Sequence, residues 1–139
     1  MALSRLEEIF HMAANDGDLK LLKKVANSKD ETGEKKTALH KASENGHLKM
    51  VKVLIHIGAE IEAKDEDGWT PLHFAAFNDK LDVVKYLIKK GSKIHAKDNH
   101  QQTALHKANN FDIAKLLIQN GATGKSEGSL KSIRTSSLY

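Results

Sequence analysis

The stretch Thr70-Pro71-Leu72-His73-Phe74-Ala75-Ala76 decides the reading of this chain. Thr37-Ala38-Leu39-His40 precedes it and Thr103-Ala104-Leu105-His106 follows it, each at an interval of 33 residues. A period of that size, met three times, marks stacked structural repeats and takes precedence over other readings. Behind each copy lies a second apolar block: Leu48, Val51, Leu54 and Ile55, then Leu81, Val84, Leu87 and Ile88, then Phe111, Ala114, Leu117 and Ile118. Within a block the residues fall at i, i+3, i+6 and i+7, which is one face of a helix. Each block closes on a glycine, at Gly58, Gly91 and Gly121, a residue that tolerates the positive φ of a helix end. The unit is helix, turn, helix, loop.

Local chemistry agrees with that unit. Thr37, Thr70 and Thr103 stand as N-caps, and Pro71 falls at the first helical position, where its missing N–H costs nothing. Small residues follow at Ala42, Ala75, Ala76 and Ala108, permitting close approach of neighbouring helices. Gly58 to Thr70 and Gly91 to Thr103 are both twelve steps, with Asp65-Glu66-Asp67-Gly68 as a turn signal in the first, a length that suits a protruding hairpin.

With these residues the chain resembles the ankyrin repeat family: Thr70 to Ala76 matches T-P-L-H-x-A-A, and Gly58 to Ala63 matches G-A-x-x-x-A. The expected fold is all-α, an ankyrin-repeat solenoid of stacked helix-turn-helix units joined by hairpin loops. An ankyrin repeat domain over 1–122 then comprises a degenerate unit at about 5–32 and units at about 33–65, 66–98 and 99–122. The first unit departs from the pattern, because Gly17 and Gly46 are 29 apart, four short of the period, so the hairpin near Lys29 to Lys36 differs in shape. The last unit departs too. Thr103 to Gly121 is 18 steps against 21 for Thr70 to Gly91, so counterparts of Phe77, Asn78 and Asp79 are missing. Its first helix is expected to be a stub of about six residues, Thr103 to Ala108, a terminal unit being atypical because its outer face meets water.

Composition sets outer limits. A chain of 139 residues makes one domain, or one domain and a tail. Basic residues number 22 and acidic 18, a net charge of +4, but only Arg5 and Arg134 are arginines. The planar fork that reads guanine edges is nearly absent, so nucleic acid is an unlikely partner. There is no cysteine, hence no disulfide or thiolate chemistry. The start, Met1 to Ala14, lacks the continuous apolar run of a secretory signal. Met50 to Ala59, the most apolar run, is broken by Lys52 and His56 and falls short of the roughly 20 residues that a membrane helix needs. A cytoplasmic, monomeric protein without membrane insertion is the expectation. Residues 123–139 are rich in Ser, Gly and Lys and read as a flexible basic tail. Gly124-Lys125-Ser126 is no phosphate loop, since that motif needs glycine where Gln119 stands.

Eight histidines invite a metal reading, but His40, His73 and His106 sit one repeat apart. Packed helices lie about 8 to 10 Å from each other, while zinc holds nitrogens at about 2.0 to 2.1 Å. The resemblance implies instead that each imidazole bonds the loop backbone beside it. Acidic pairs such as Glu60 and Glu62 fall in open hairpins, without the pocket that general acid work requires. No catalytic, metal or cofactor site is expected, and the chain is read as no enzyme.

Function is then carried by surface that the fold does not need. Resemblance implies a concave face of hairpin tips and first helices that binds a protein partner, with a Lys-rich phosphate or nucleic-acid module as the alternative. By position that face holds Lys36, Glu44, Asn45, Glu66, Asp67, Trp69, Phe77, Asn78, Lys90, His100 and Gln102, together with Asn15, Asp16, Ile57 and Asn99. Trp69 and Phe77 are the expected anchors, each weighed against a plain packing role: Trp69 as cover for the neighbouring loop, Phe77 as a half-buried helix end. A first prediction concerns the tail: removing 123–139 leaves the melting temperature almost unchanged, and protease digestion of the whole chain stops near Gly124. A drop of many degrees shows that the tail docks on the stack.

Overall fold

The computed structural model describes residues 19–31 and 33–121. These hold seven α-helices and no strand: α1 (Leu19–Ala26), α2 (Ala38–Asn45), α3 (Leu48–His56), α4 (Pro71–Phe77), α5 (Leu81–Lys89), α6 (Ala104–Lys107) and α7 (Phe111–Gln119). The expected stretch before Leu19, with Asn15 and Asp16, and the tail 123–139 lie outside the described residues. Helices α2, α4 and α6 form an inner row in which each touches the next, and α3, α5 and α7 form a second row behind it. Each inner helix returns antiparallel through a short turn to its own outer helix.

Caps set the inner helices. The Thr37 and Thr70 hydroxyls accept the N–H groups of His40 and His73, and Pro71 opens α4. Gly46 ends α2 in the left-handed region at φ 72°; its counterpart one period on is Asp79, held at φ 59°. Leucines and valines at the repeat positions fill the interior: Leu39, Val51, Leu54, Leu72, Val84, Leu87 and Leu117 are essentially sealed from solvent. Ala38, Ala42, Ala75, Ala76 and Ala104 between them let the inner helices close up. One expected core residue is not inside. Phe111 stands 77% exposed where its counterpart Leu81 is half-buried, and Ile113 and Leu117 are the buried residues of α7. The deletion falls just before it and leaves α6 with only four residues, against seven in α4.

The hairpins share one closure. Asp65 N–H donates to the Trp69 carbonyl at 3.0 Å, and the Asp65 carboxylate accepts the Trp69 N–H at 2.8 Å. Asp98 and Gln102 repeat this at 2.8 and 2.9 Å. Asp30 and Lys36 do so at 2.9 and 3.2 Å. The first hairpin thus differs by two inserted residues between the same closing pair. Successive hairpins also join, Glu66 N–H to the Glu34 carbonyl at 2.8 Å and Asn99 N–H to the Asp67 carbonyl at 2.9 Å. Gly68 permits the second junction: at φ 80°, a Cβ there would lie 2.8 Å from the Asn99 nitrogen.

The histidines stitch one unit to the next. His40 Nδ1 accepts the Thr37 N–H at 3.0 Å, so Nδ1 carries no proton and Nε2 carries it. That Nε2–H donates to the Trp69 carbonyl, 2.8 Å away in the following unit. His73 repeats the arrangement, with Thr70 at 3.0 Å and the Gln102 carbonyl at 2.9 Å. Burial pushes both imidazoles below their ordinary value, outweighing the carbonyl contacts that would raise it.

Two predictions follow from this packing. Leu72→Ala removes contacts from the shared interior and costs about 2 to 5 kcal/mol by denaturant unfolding. For the histidines, a folded pKa below the unfolded value of about 6.5 means that stability is full above that pH and falls as pH drops towards the folded pKa. Each histidine contributes at most about 1.4 kcal/mol per pH unit in that window. Unfolding measured at about pH 7 and about pH 5.5 shows this loss, and a His40→Gln, His73→Gln double variant has a flatter profile there. A slope unchanged in the double variant assigns the pH dependence to other groups.

Candidate functional site

Between the Asp65–Trp69 hairpin and the inner helices α2 and α4 lies an open hollow of about 220 Å³. Trp69, Phe74, Phe77 and Asn78 line it, with Glu34, Lys36, Glu44, Asp65 and Asp67 around them. Trp69 is central. Its ring lies 4.9 Å from that of Phe74 and 5.4 Å from that of Phe77, the latter edge to face. The hairpin fixes it from behind, because the Trp69 N–H and carbonyl are both bonded to Asp65. Phe77, at the end of α4, is 47% exposed and forms an open wall.

Two lysines already use these rings. The Lys36 ammonium stands 4.8 Å over Phe74, and that of Lys107 stands 4.3 Å over Trp69. Both are also ion-paired. Lys36 meets Glu34 at 3.2 Å and Glu44 at 3.3 Å. Burial alone would lower its pKa, but the two carboxylates prevail and hold it above the ordinary lysine value. Lys107 meets Asp98 at 2.8 Å and the Gln102 side-chain oxygen at 2.6 Å. Burial alone would raise Asp98; Lys107 and the N–H groups of Gln102 and His100 outweigh it, so its carboxyl sits below the ordinary value.

Of the residues expected on the partner face, Lys36, Glu44, Asp67, Trp69, Phe77 and Asn78 are brought together here. Glu66 is exposed on the same hairpin and engaged through its backbone, its carbonyl accepting from Asn99 Nδ2. His100 is exposed on the next hairpin, its N–H on Asp98. Gln102 is engaged structurally, its carbonyl by His73 and its side chain by Lys107. Asn45 is exposed and bonds back to the Lys41 carbonyl of its own helix. Lys90 is placed elsewhere: it ends the outer helix α5, and its ammonium lies 5.6 Å from the Tyr86 ring of that helix. Ile57 likewise caps α3 and packs on the core.

Sequence reasoning missed Glu34, Asp65 and Phe74. The signal was present in the period: Asp65 and Asp98 are 33 apart, and Phe74 stands where the flanking units have Lys41 and Lys107. Among the described residues no three His, Asp or Glu side chains group to hold a metal ion, and no helix is long and apolar enough to cross a membrane. What the hollow offers is ring faces and carboxylate oxygens.

Comparison with known proteins gives the same architecture. A family model described as ankyrin repeats (3 copies) matches residues 10–98 and 58–127. The Notch-regulated ankyrin repeat-containing protein of Xenopus laevis is 34% identical over 77 residues, covering 50% of this chain and 68% of that protein. Protein phosphatase 1 regulatory subunit 27 of Mus musculus is 53% identical over 34 residues, 24% of this chain and 22% of the relative. For protein phosphatase 1 regulatory subunit 12A of Homo sapiens the values are 49% over 35 residues, 25% of this chain and 3% of the relative. The chain therefore spans only a small part of these two phosphatase subunits, about one repeat of each. The 33-residue period, the Thr–His boxes, the paired helices and the matched family model agree, and the chain belongs to the ankyrin repeat family.

Proposed function

We propose that this chain is a non-catalytic protein-interaction module that holds a segment of a partner protein against the hollow and its hairpins. Ankyrin repeats are protein-interaction modules, and the chain belongs to that family. The observation that carries the reading here is the half-exposed Phe77 beside Trp69, an aromatic pair that the interior packing does not require. Aromatic residues in a partly desolvated recess are the usual anchors of such contacts. The names of two relatives describe regulatory subunits, which fits a binding role. Because the shared stretch is one repeat long, protein phosphatase 1 enters only as one candidate to be tested. A monomer acting in the cytoplasm belongs to the same proposal.

The test begins with affinity capture on the intact chain and mass spectrometry, followed by titration of the captured partner. Truncating a buried aromatic anchor costs about 2 kcal/mol or more of binding, roughly a thirtyfold loss. Trp69→Ala and Phe77→Ala are each expected to lose that much affinity, with Phe77→Ala melting close to the parent. Retained affinity in both variants places the binding surface elsewhere, and lost stability with unchanged affinity assigns the two rings to packing.

A further inference from the structure

The three hairpins differ in one respect that bears on the hollow. In the first, the Asp30 carboxylate pairs with Lys41 at 3.1 Å; in the third, Asp98 pairs with Lys107 at 2.8 Å. Each lysine directly follows the box histidine of its own unit. In the middle unit that position is Phe74, and Asp65 has no ion pair among the described residues. The carboxylate that elsewhere receives an ammonium from the inner helix following its hairpin here faces a hollow. The lysine that would have filled the space is replaced by a ring that lines it.

The surroundings favour the same kind of group. Glu34, Glu44, Asp65 and Asp67 stand around the hollow against the single ammonium of Lys36, an excess of three negative charges in a chain whose net charge is +4. The rings are of the kind that attract cations through their faces, and the neighbouring Lys36 and Lys107 show them doing so. At about 220 Å³ the space lies below the roughly 300 Å³ at which small-molecule clefts begin. It suits one long side chain.

We propose that the hollow receives an arginine or lysine side chain from a basic segment of the partner protein. The cationic head takes the place beside Asp65 and Asp67 that lysines take in the flanking units, and its stem lies against Trp69 and Phe77. This rests on the interaction-module reading and adds the chemistry of the segment bound. Polyanions are disfavoured at this face by the same carboxylates.

Short end-capped peptides rich in arginine, in serine or in glutamate are titrated into the intact chain, with the fluorescence of Trp69, its single tryptophan, as the signal. Only the arginine-rich peptide is expected to give a saturable change. Phe74→Lys restores the lysine of the flanking units and is expected to weaken that binding about tenfold or more. If Phe74→Lys fails to fold, Asp67→Asn and Phe77→Ala serve instead: Asp67 is exposed and its carbonyl, not its carboxylate, holds Asn99. Each is expected to lower affinity severalfold at an unchanged melting temperature. Lys89→Gln on the outer helix leaves it unchanged. Equal or tighter binding of the glutamate-rich peptide, or arginine-peptide affinity that survives all three hollow substitutions in folded protein, overturns the proposal. A captured partner that binds Phe74→Lys as tightly as the parent chain overturns it as well, while leaving the interaction module standing.

Discussion

The structure depends on one carbonyl per repeat, that of the residue just before the capping threonine. The Trp69 carbonyl accepts the Asp65 N–H that closes its own hairpin and the Nε2–H of His40 from the unit before. The Gln102 carbonyl does the same for Asp98 and His73. A carbonyl has two lone pairs, and both are used. Each such bond contributes only about 1 kcal/mol net, but leaving one buried partner unmade costs about 1 to 3 kcal/mol. The arrangement therefore sets the register between units more strongly than it adds to stability. It also aims the site. With its backbone held on both sides, Trp69 starts its side chain from a fixed point beside the groove between α2 and α4, where Phe74 and Phe77 meet the indole.

Where the repeat is incomplete, single side chains replace the missing backbone. Leu19 to Asp30 is eleven steps against seventeen from Leu48 to Asp65, so the segment equivalent to Gly58–Ala63 is absent from the first unit. Asn27 fills its role: its amide donates to the Gly58 carbonyl at 3.1 Å and accepts the Glu60 N–H at 2.8 Å. At the other end, α3 and α5 begin without side-chain caps because the turn residues Gly46 and Asp79 lead the chain directly from helix to helix. With that turn deleted, α7 starts on Asn110, whose side chain caps the N–H groups of Asp112 and Ile113. A shortened unit remains ordered through its own cap, at the expense of leaving Phe111 in water.

What the sequence showed and what it hid divide along the period. The capping threonines, and the helices and buried leucines from Leu39 as far as Leu87, recur every 33 residues and were legible, while α7 follows α5 at 30 because of the deletion. The stub expected at Thr103 to Ala108 is realised as Ala104–Lys107 between those two flanking residues. Trp69 and Phe77 were visible as large residues at positions that the pattern leaves open. Phe74 was not. It looks like core in any helical reading, and it is indeed nearly buried; its meaning lies in what it replaces in the other units. Asp65 was hidden because a turn aspartate has a sufficient local role in bonding Trp69 and Asp67 N–H groups. Only the comparison with Asp30 and Asp98 shows a second oxygen answered by a lysine there and by none here. Lys90 went astray because a helix end next to a hairpin in sequence can point to either side of the stack.

Net charge misleads in this protein because its acids are unevenly spread. The helices other than the inner row carry Lys20, Lys23 and Lys24 on α1, Lys49 and Lys52 on α3, Lys85 and Lys89 on α5 and Lys115 on α7, with Asp82 and Asp112 as their only acids. Lysine stems suit such positions, since they cover apolar surface while the heads remain in water. Acids gather instead in the middle hairpin, where Glu60, Glu62, Asp65, Glu66 and Asp67 stand against Lys64 alone, whereas the next hairpin carries Lys90, Lys93 and Lys97 against Asp98. The middle hairpin thus holds a local excess of carboxylates within a basic chain, whatever the total. Interactions of exposed charges fade over about 8 Å at physiological salt. A partner at the hollow therefore meets the local carboxylates rather than the basic sum of the chain.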